Sequence, residues 1–340
     1  MQVVVFYIVL LLPYILTLLF ITSILLAFRR KWKISLAIVT LCIVLNTQME
    51  VFSVANPFVD NDASNDVIVM TYNMHALGKY MDENREEPDG ILNFILRQNA
   101  DVIALQEYDS IRCQVLQKKL LKEFPYHKSM PRYKFMGGNA VFSKFEILSC
   151  KYGVLDDSEK DVKILDENRC VREVNPERLI MLLEFNVKGK KVRLANCHFE
   201  SNNIDERIIL DGDSLRWYQM LPIFNREVTR AISVRKAEAE LLNKWAKQNK
   251  DVPVIVCGDL NDFGGSTTLR TLQNHSKLKD AWWNGGLGYG ATYHGHKFMY
   301  FRLDHILYNS ELQLQKVKVA EQNFSDHDAL VAGFRFQNHQ

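Results

Sequence analysis

The sequence predicts an α/β protein with two facing β-sheets and outer helices, preceded by a helical hairpin in the membrane. Two observations support this prediction. The first 28 residues contain no charged side chain, which is enough apolar chain to cross a bilayer. From residue 67 onward, apolar runs of strand length alternate with segments of helical periodicity. This alternation alone would fit an ordinary open α/β sheet equally well.

Residues 1–54 are predicted to form a membrane anchor. The first apolar stretch ends at Phe28, and it lacks the basic start and the short apolar core of a cleaved signal peptide. A second apolar run starts at Ile34 and, if extended to about Val54, provides a second crossing of ~20 residues. The alternative is a single crossing followed by an interfacial or domain-capping segment.

The basic cluster Arg29–Lys33 lies between the two apolar runs and predicts the orientation. Such clusters stay on the cytoplasmic side of the membrane. Two crossings would therefore place everything after about Asn56 outside the cytoplasm, in a multi-pass protein of the cell membrane. A single crossing would leave the following domain inside. We favour the two-helix hairpin.

Residues 55–66 are rich in Asn, Asp and Pro and predict a linker, and residues 67–340 then form one large domain. The start of this domain alternates strand and helix, which predicts helices packed on a sheet. Helices are expected from Glu87 to Asn99, within SIRCQVLQKKLLKEF and in the second half of an insertion at 201–248. Strands are expected at VIVMTYNM, DVIALQE, GNAVFS, about 179–187, KVRLANCHF, PVIVCGD, RLDHILY, about 317–319 and ALVAGFRF.

The composition narrows the possible functions only slightly. A formal net charge of +2 gives no bulk electrostatic argument for binding nucleic acid. The six cysteines have no metal-binding spacing, and most are predicted to be buried thiols. A disulfide among Cys113, Cys150 and Cys170 is left open. No protein partner is evident from the sequence.

Polar side chains occur where predicted strands meet loops. Asn73 and Glu107 end two successive strands, and Asn139 lies in GGNAVFS. Residues of this kind are most often turn or loop residues. If the first two strands are neighbours, Asn73 and Glu107 share one sheet edge, where their oxygen atoms would suit Mg²⁺.

The GDLND segment is a more specific signal. Gly258 permits a sharp turn after a buried strand, and Asp259 and Asn261 then emerge two residues apart. Asp259 is a candidate to orient or deprotonate a water, and Asn261 to donate an amide N–H to a phosphoryl oxygen. The alternative is an Asx-turn at the strand end.

Two histidines and two aspartates complete the candidate set. His198 lies in the strand LANCHF and is a candidate to contact a phosphate, unless it is a packed or surface residue. Asp326 is a candidate metal ligand, and His327 is a candidate to contact the phosphate or to transfer a proton. The alternative is that the aspartate caps the start of a segment. Asp304 could hold His327 in one tautomer by accepting its other N–H. His305 points to the opposite face and is predicted to be structural.

The insertion and the later loops supply candidate substrate contacts. Basic residues of the insertion could contact a phosphate backbone, or they could form the solvated face of a helix. Aromatic residues could stack on bases, contact lipid or pack in the fold. His294 and His296 resemble a metal pair only superficially, because no third ligand lies nearby. The basic and aromatic candidates are Arg226, Arg230, Arg235, Lys236, Trp217, Tyr218, Trp282 and Trp283.

The order of these motifs resembles the endonuclease/exonuclease/phosphatase superfamily, the fold of pancreatic deoxyribonuclease and of the exonuclease III type of repair nucleases. The resemblance extends from about Val67 to Phe336, and it implies a four-layer α/β sandwich. The N-terminal hairpin with its basic loop resembles the membrane-attached bacterial branch of that superfamily. The motifs that carry the resemblance are Asn73, LQE at Glu107, GNAVFS, His198, GDLND, RLDHIL and SDH.

The resemblance also implies roles for individual residues. Glu107 would bind Mg²⁺ or Mn²⁺, with Asn73 and Asp326 near the metal. Asp259 would position or activate the attacking water, and Asn261 would stabilise the phosphate.

The remaining family positions flank the substrate. His198 and His327 would lie on either side of the scissile phosphate, with His327 oriented by Asp304, and Asn139 would lie near the substrate. Repair nucleases of this fold have a tyrosine-bearing stretch where this chain has His198, which argues against a role at abasic sites.

The expected function is that of a membrane-anchored, metal-dependent phosphoesterase that hydrolyses phosphodiester bonds by in-line attack of an activated water. A nuclease-like activity is favoured. One alternative is a phosphatase or phospholipase acting on lipids or small molecules of the inositol or sphingolipid type. Another is a catalytically silent, membrane-tethered binding module. Substrate choice is expected to lie in the loops at 130–138, 202–230 and 282–297.

Overall fold

The computed structural model describes residues 2–54, 65–75, 88–130, 138–155, 162–165, 179–202, 217–296 and 299–337. Two long helices come first, α1 (Gln2–Phe28) and α2 (Trp32–Met49). They form a hairpin in which the Ser35 hydroxyl donates a hydrogen bond to the Ser23 carbonyl at 2.8 Å. Both helices are long and apolar enough to cross a membrane, with mean hydropathies of 2.6 and 1.4.

The rest of the described chain contains strands interleaved with helices. The helices are α3 (Pro88–Arg97), α4 (Gln114–Glu123), α5 (Trp217–Gln248), α6 (Thr267–Arg270) and α7 (Ala281–Gly285). The strands are β1 (Val67–Asn73), β2 (Val102–Tyr108), β3 (Tyr126–Ser129), β4 (Gly138–Ser143), β5 (Glu146–Leu155), β6 (Val162–Leu165), β7 (Leu179–Val187), β8 (Lys190–His198), β9 (Val254–Asp259), β10 (Lys279–Asp280), β11 (Tyr293–His296), β12 (Met299–Phe301), β13 (Asp304–Tyr308), β14 (Leu312–Ala320) and β15 (Ala329–Phe336).

Thirteen of these strands form two large mixed sheets that face each other, and β11 and β12 pair in a small sheet of their own. The first has the order β14-β15-β1-β2-β4-β3, and the second has the order β10-β13-β9-β8-β7-β5-β6. Each sheet contains a central parallel pair, β1 with β2 and β8 with β9. Because parallel strands end at the same sheet edge, each pair brings two strand ends together. The predicted α/β sandwich is therefore confirmed.

An apolar core fills the space between the sheets. Val69 of β1 and Leu330 of β15 meet Leu183 of β7 and Ile255 of β9 there, all nearly inaccessible to solvent. Helices α3 and α4 cover the outer face of the first sheet, and α5 covers the outer face of the second. These outer helices supply the two remaining layers of the sandwich.

A buried polar network also joins the sheets. The Asn196 amide on β8 donates to the carbonyls of Leu105 at 3.1 Å and Ala140 at 3.0 Å, which both belong to the first sheet. Its side-chain oxygen accepts from the Gln106 amide at 2.7 Å. Since buried polar groups are costly unless paired, this network favours one relative placement of the two sheets.

The N-terminal half of α1 packs on the domain that follows the hairpin. Phe6 and Val9 are buried against Phe263 and Phe301, which flank the later strands of the second sheet. With a rise of about 1.5 Å per residue, α1 is about 13 Å longer than α2, and this excess length lies beside the domain.

The end of α2 is fixed to the domain as well. The Glu50 carbonyl accepts a hydrogen bond from the buried guanidinium of Arg302 at 3.0 Å. Two backbone hydrogen bonds of 2.9 and 2.8 Å pair Ser53 with Gly288. The predicted linker continues from here, and its residues 55–64 lie outside the described part of the chain.

The cysteine prediction can be followed in part. Cys113 is a buried free thiol, as are Cys197 and Cys257 in their strands. Burial raises the pKa of the Cys113 thiol to about 12. Cys113 is therefore not part of a disulfide, and Cys170 lies outside the described residues.

Candidate active site

The ends of the two parallel strand pairs meet, and Asp259 lies where they meet. This carboxylate ends β9 and is almost completely buried. The Asn73 amide at the end of β1 donates to Asp259 Oδ2 at 3.1 Å and to Glu107 Oε1 at 3.0 Å. Three residues that are far apart in the sequence are thus joined by one amide.

Glu107 reaches this position through an irregularity in β2. The pairing of β2 with β4 shifts register between Leu105 and Tyr108, and Glu107 has a left-handed backbone with φ of 51°. A bulge of this kind redirects a side chain, and a left-handed conformation costs energy in a residue other than glycine. The irregularity turns the Glu107 carboxylate toward Asn73.

The turn after Asp259 depends on Gly258. Its φ is 142°, and a Cβ atom added there would lie 1.9 Å from the Cys197 carbonyl oxygen on β8. The turn is completed by Asn261, whose backbone N–H donates to Asp259 Oδ1 at 2.8 Å. Its side-chain amide donates to the Phe199 carbonyl at 2.9 Å. The Asx-turn and the placement of Asn261 beside the site therefore occur together.

His327 is held by Asp304. Its Nδ1 lies 2.8 Å from Asp304 Oδ2, and its Nε2 lies 3.7 Å from Asp259 Oδ2. Burial lowers the pKa of this imidazole, but the charges of Asp304 and Asp259 outweigh burial and raise it to about 10. The ring therefore carries a proton on each nitrogen at neutral pH.

The pKa of the Asp259 carboxyl group is also raised, but here burial is the main cause. Burial raises the pKa of its carboxyl group and the charge of Asp304 raises it further, while His327 and His198 lower it. The other oxygen of Asp304, Oδ1, is buried with no hydrogen-bond partner among the described residues. Such an unsatisfied acceptor next to a charged pair is typical of a functional site.

His198 closes the site on the side of β8. Its Nε2 lies 3.8 Å from both Glu107 Oε1 and Asp259 Oδ2, and the side chain is half-buried. Asn139 lies deeper, where its amide donates to the Asn196 carbonyl at 3.3 Å. All the residues predicted for the site from sequence are thus within one region of the fold.

The mouth of the site contains one histidine that the sequence prediction missed. His75 Nδ1 lies 3.7 Å from Glu107 Oε2 and 3.6 Å from Asp326 Oδ1, and about half of its side chain is exposed. It lies only two residues after Asn73 in YNMH, so the strand-end argument could have included it. Ser325 was missed too: its hydroxyl donates to the Asn73 carbonyl at 2.8 Å.

Two groups of residues could hold a metal ion. Asp259, Asp304 and His327 place one potential ligand atom each within 4.8 Å of one another. In that group, however, His327 Nδ1 is already bonded to Asp304 Oδ2 at 2.8 Å, and a hard cation such as Mg²⁺ prefers oxygen ligands to an imidazole nitrogen. Glu107 and Asp326 present half-exposed carboxylates at the mouth, with Asn73 beside them. This oxygen-rich group fits a hard divalent cation better.

Two of the basic candidates in the insertion, Arg230 and Arg235, are engaged in ion pairs. Arg235 is fully buried, with its Nε 3.4 Å from Asp262 Oδ2, so the expected solvated or phosphate-tracking position is wrong for this residue. The guanidinium of Arg230 pairs with Glu200 at 2.6 Å and with Glu227 at 3.2 Å.

The aromatic and histidine candidates differ in burial. Trp282 is buried and Trp283 is half-buried, whereas the side chains of Trp217, Tyr218 and His296 lie outside the described part. His294 is part of β11, and its Nε2 lies 3.3 Å from Asp328 Oδ1.

The sequence from residue 70 to residue 327 matches the Endonuclease/Exonuclease/phosphatase family. The chain belongs to this family. Its members are metal-dependent phosphoester hydrolases, namely nucleases and phosphatases. The endonuclease/exonuclease/phosphatase match covers the strands that carry the site residues from Asn73 to His327. A comparison with curated protein sequences finds no match.

Solved structures of the endonuclease/exonuclease/phosphatase fold resemble this chain. One from Bacteroides vulgatus has a TM-score of 0.58 at 17% identity and covers 80% of this chain and 99% of its own. The human Nocturnin catalytic domain with bound sulfate has a TM-score of 0.55 at 17% identity, covering 80% and 94%. D. rerio TDP2 complexed with single strand DNA product has a TM-score of 0.53 at 14% identity, covering 79% and 98%. At these identities the likeness concerns the fold.

Proposed function

We propose that this chain is a membrane-anchored phosphodiesterase that uses Mg²⁺ or Mn²⁺ to hydrolyse its substrate by in-line attack of water. The observation that carries the proposal is the arrangement around Asp259. This buried carboxylate is bonded to Asn73 and lies within 4 Å of His198 and His327. A nucleophile-orienting group thus lies beside two groups able to bind a phosphate.

The metal would be held by Glu107, with Asn73 and Asp326 beside it. When bound, a divalent cation neutralises charge on the phosphoryl oxygens of the substrate. The oxygen atoms of these side chains and their partial exposure support this assignment. His75 contacts both carboxylates and would have to move aside for the ion.

The other side chains would position the water and the phosphate. Asp259 accepts hydrogen bonds and would orient or activate the attacking water. His327, kept protonated by Asp304, would donate its Nε2 proton to a phosphate oxygen, with His198 on the other side. Asn261 has a second amide N–H for the phosphate, and Asn139 stays an expected substrate contact.

Two isosteric substitutions test the reaction. Glu107→Gln and Asp259→Asn should each lower the rate of bis-p-nitrophenyl phosphate hydrolysis at least about 100-fold, the usual loss for a group that stabilises charge in the transition state. Glu240→Gln, on the exposed face of α5, is the matched control and should keep full activity. Chelator should abolish activity, and Mg²⁺ or Mn²⁺ should restore it. Full activity in both variants would refute the proposal, and no turnover at all would favour a silent binding module.

The anchor is proposed to cross the membrane twice. The two apolar helices and the basic turn Arg29–Lys33 support a hairpin whose tip is cytoplasmic, with the domain outside the cytoplasm. Protease added to intact spheroplasts should then digest the domain without lysis. Protection until the spheroplasts are lysed would support a single crossing.

Nucleic acid is the first candidate substrate. It is supported by the nucleases within the family and by the similar fold of TDP2, which was solved with a single strand DNA product. Metal-dependent nicking of plasmid DNA or cleavage of RNA by the full chain would establish it.

A membrane lipid is the second candidate, and one observation specifically favours it. Two of the basic side chains of α5 that were candidates to track nucleic acid are not free to do so, because Arg230 pairs with Glu200 and Arg235 is buried against Asp262. At the same time α1 contacts the domain close to the site: Phe6 packs on Phe263, which lies two residues after Asn261. Hydrolysis of phospholipid in vesicles, with DNA and RNA left intact, would select this candidate.

A further inference from the structure

A groove separates the hairpin from the catalytic domain. It is open to one side, has a volume of about 840 Å³, and shares no lining residue with the candidate active site. Its walls include Phe20 of α1, Ile43 of α2, Phe52 and Val54 of the following segment, and Trp283 of α7. The volume lies within the roughly 300–1,000 Å³ that is usual for small-molecule sites.

The polar side chains of the lining are already engaged. Thr17 and Thr47 donate to carbonyls of their own helices at 2.8 and 3.0 Å. The Asn46 side chain binds both the N–H and the carbonyl of Phe52, at 2.7 and 2.9 Å. Asn284 donates to a carbonyl one turn earlier at 2.7 Å. A ligand would gain nothing from polar groups along this wall, so the groove suits an apolar chain.

The groove is continuous with the apolar outer surface of the hairpin. Ile43 and Val54 line it and are exposed by 59% and 79%, and Leu18 and Val44 are exposed next to them on the two helices. A hairpin that crosses a bilayer has lipid chains against this surface. A molecule that enters the groove from this side would therefore be a hydrocarbon chain.

Trp283 gives one end of the groove a polar feature. Its indole N–H has no hydrogen-bond partner among the described residues, and its side chain is half-buried at the domain end. Tryptophan prefers such positions at the level of lipid headgroups, with its ring in apolar contact and its N–H toward polar atoms. We propose that the groove binds one acyl chain of a membrane phospholipid, with the headgroup end at Trp283.

This proposal rests on the proposed membrane anchoring and is independent of the proposed reaction. It is tested with the full chain in phosphatidylcholine vesicles that contain a photoreactive diazirine phosphatidylcholine, followed by mapping of the crosslinked residues. Crosslinks are expected at lining residues of α2 and at Phe52 to Val54. They should saturate as the fraction of photoreactive lipid rises.

Matched variants locate the binding site. Thr47→Phe fills the groove, whereas Thr40→Phe places the same ring on the exposed surface of α2 outside it. Thr47→Phe should lower the crosslink yield about 16-fold, because displacing two methylenes from an apolar site costs roughly a factor of four each. Thr40→Phe should leave the yield unchanged. Ile43→Trp and its neighbour Val44→Trp form a second pair if the first variant folds poorly.

The outcomes separate the two proposals. Loss of lining crosslinks in the groove variants alone supports the lipid site, and it does so whether or not phosphodiesterase activity is found. Crosslinks spread evenly over the outward faces of the hairpin, with both variants of a pair behaving alike, would overturn it. A chain that does not float with vesicles would overturn the anchoring and the lipid site together, while Glu107→Gln would still report on the reaction.

Discussion

Asp259 is central to the site, because it receives hydrogen bonds from Asn73 at the end of β1 and from Asn261 in the following turn, and it faces two imidazoles. Its neighbour His327 carries most of the local positive charge. The Asp304 carboxylate that holds this imidazole is fully buried, so little solvent screens the pair. The pair therefore affects both the stability of the fold and the protonation state of the site.

The stability of the metal-free protein should depend on pH through His327. Its pKa in the folded state, about 10, lies above the ordinary value of 6.5. The stabilisation is then fully present below about pH 6.5 and is lost as pH rises through 10. Between these values the free energy of unfolding should fall by about 1.4 kcal/mol per pH unit. Asp304→Asn should flatten this slope, because it removes the charge that raises the pKa.

The measurement is denaturant unfolding of the full chain in detergent and chelator at several pH values. Coincident slopes for the wild type and Asp304→Asn would show that the pair does not control the titration. The expected result is a wild type that is markedly more stable near neutral pH and approaches the variant near pH 10.

The sequence predicted which residues gather but not how they are arranged. Residues at strand ends could be named because the β period and the apolar runs show where a strand stops. The bulge that turns Glu107 depends on the pairing of β2 with β4, so no local pattern reveals it, whereas His75 follows a strand end and was simply not included. The burial of Arg235 depends likewise on Asp262, which follows a distant strand.

Among elements, β9 and its exit turn are the most constrained. Gly258 lies near the end of this strand with φ of 142°, and its α-carbon is directly against the backbone of β8. Any other residue there would have a strained backbone. Its Cβ atom would also overlap with the Cys197 carbonyl oxygen, which cannot move independently of the sheet. The turn to Asp259 therefore requires glycine.

Gly258→Ala should destabilise the protein by about 3 kcal/mol or more, or prevent folding, because strain and overlap add. Gly189→Ala is the matched control: φ is 86°, and an added Cβ would meet nothing within 4 Å. It should cost only about 1 kcal/mol, the usual penalty of a left-handed alanine. Denaturant unfolding of both variants gives the comparison, and equal costs would show that overlap with β8 is relieved.

Most of the long elements were expected from sequence, although the ten-residue strand β5 was not, and several short ones were missed. Helix α5 and the buried strands β1, β2 and β9 have strong periodic patterns, and each was expected from sequence. Strands β3 and β10 were not expected, because they are short and pair at the ends of a sheet where few residues define a pattern. The π-helical turn at Thr271–His275 also has no local signal.

For the whole molecule, the docking of the hairpin is the least predictable feature. Hydropathy indicates a membrane helix, but it does not indicate that the first half of α1 lies against Phe263 and Phe301. The contact is completed by Arg302, which donates to the Glu50 carbonyl and, at 3.0 Å, to Asp280. The charge of Arg302 and a hydrogen bond from His305 hold the pKa of Asp280 well below its usual range, despite its burial.

Arg302→Met should weaken both the domain and its docking. Removing one partner of a buried ion pair leaves Asp280 uncompensated, which typically costs about 3–5 kcal/mol. Arg193→Met, which breaks the more exposed pair with Glu184, should cost less than about 1 kcal/mol.

Docking itself is measured with a protease site inserted between residues 57 and 62, within the predicted linker. After cleavage, the wild-type domain should remain with the membrane fraction through the contacts of α1, Glu50 and Ser53. The Arg302→Met domain should be released to a greater extent. Complete release of the wild-type domain on cleavage would show that only the covalent linker retains it.

The pairing of Ser53 with Gly288 has a kinetic consequence. A domain on a long flexible linker samples many orientations relative to its anchor, whereas the pairing of Ser53 with Gly288 ties this domain to the end of the hairpin. If the hairpin spans a membrane as proposed, the candidate site stays at one height above the bilayer. Encounters with any substrate carried in the bilayer then occur by lateral diffusion in two dimensions. Turnover of such a substrate would follow its surface density and would fall when inert lipid dilutes it, even if the amount per volume of suspension stays constant.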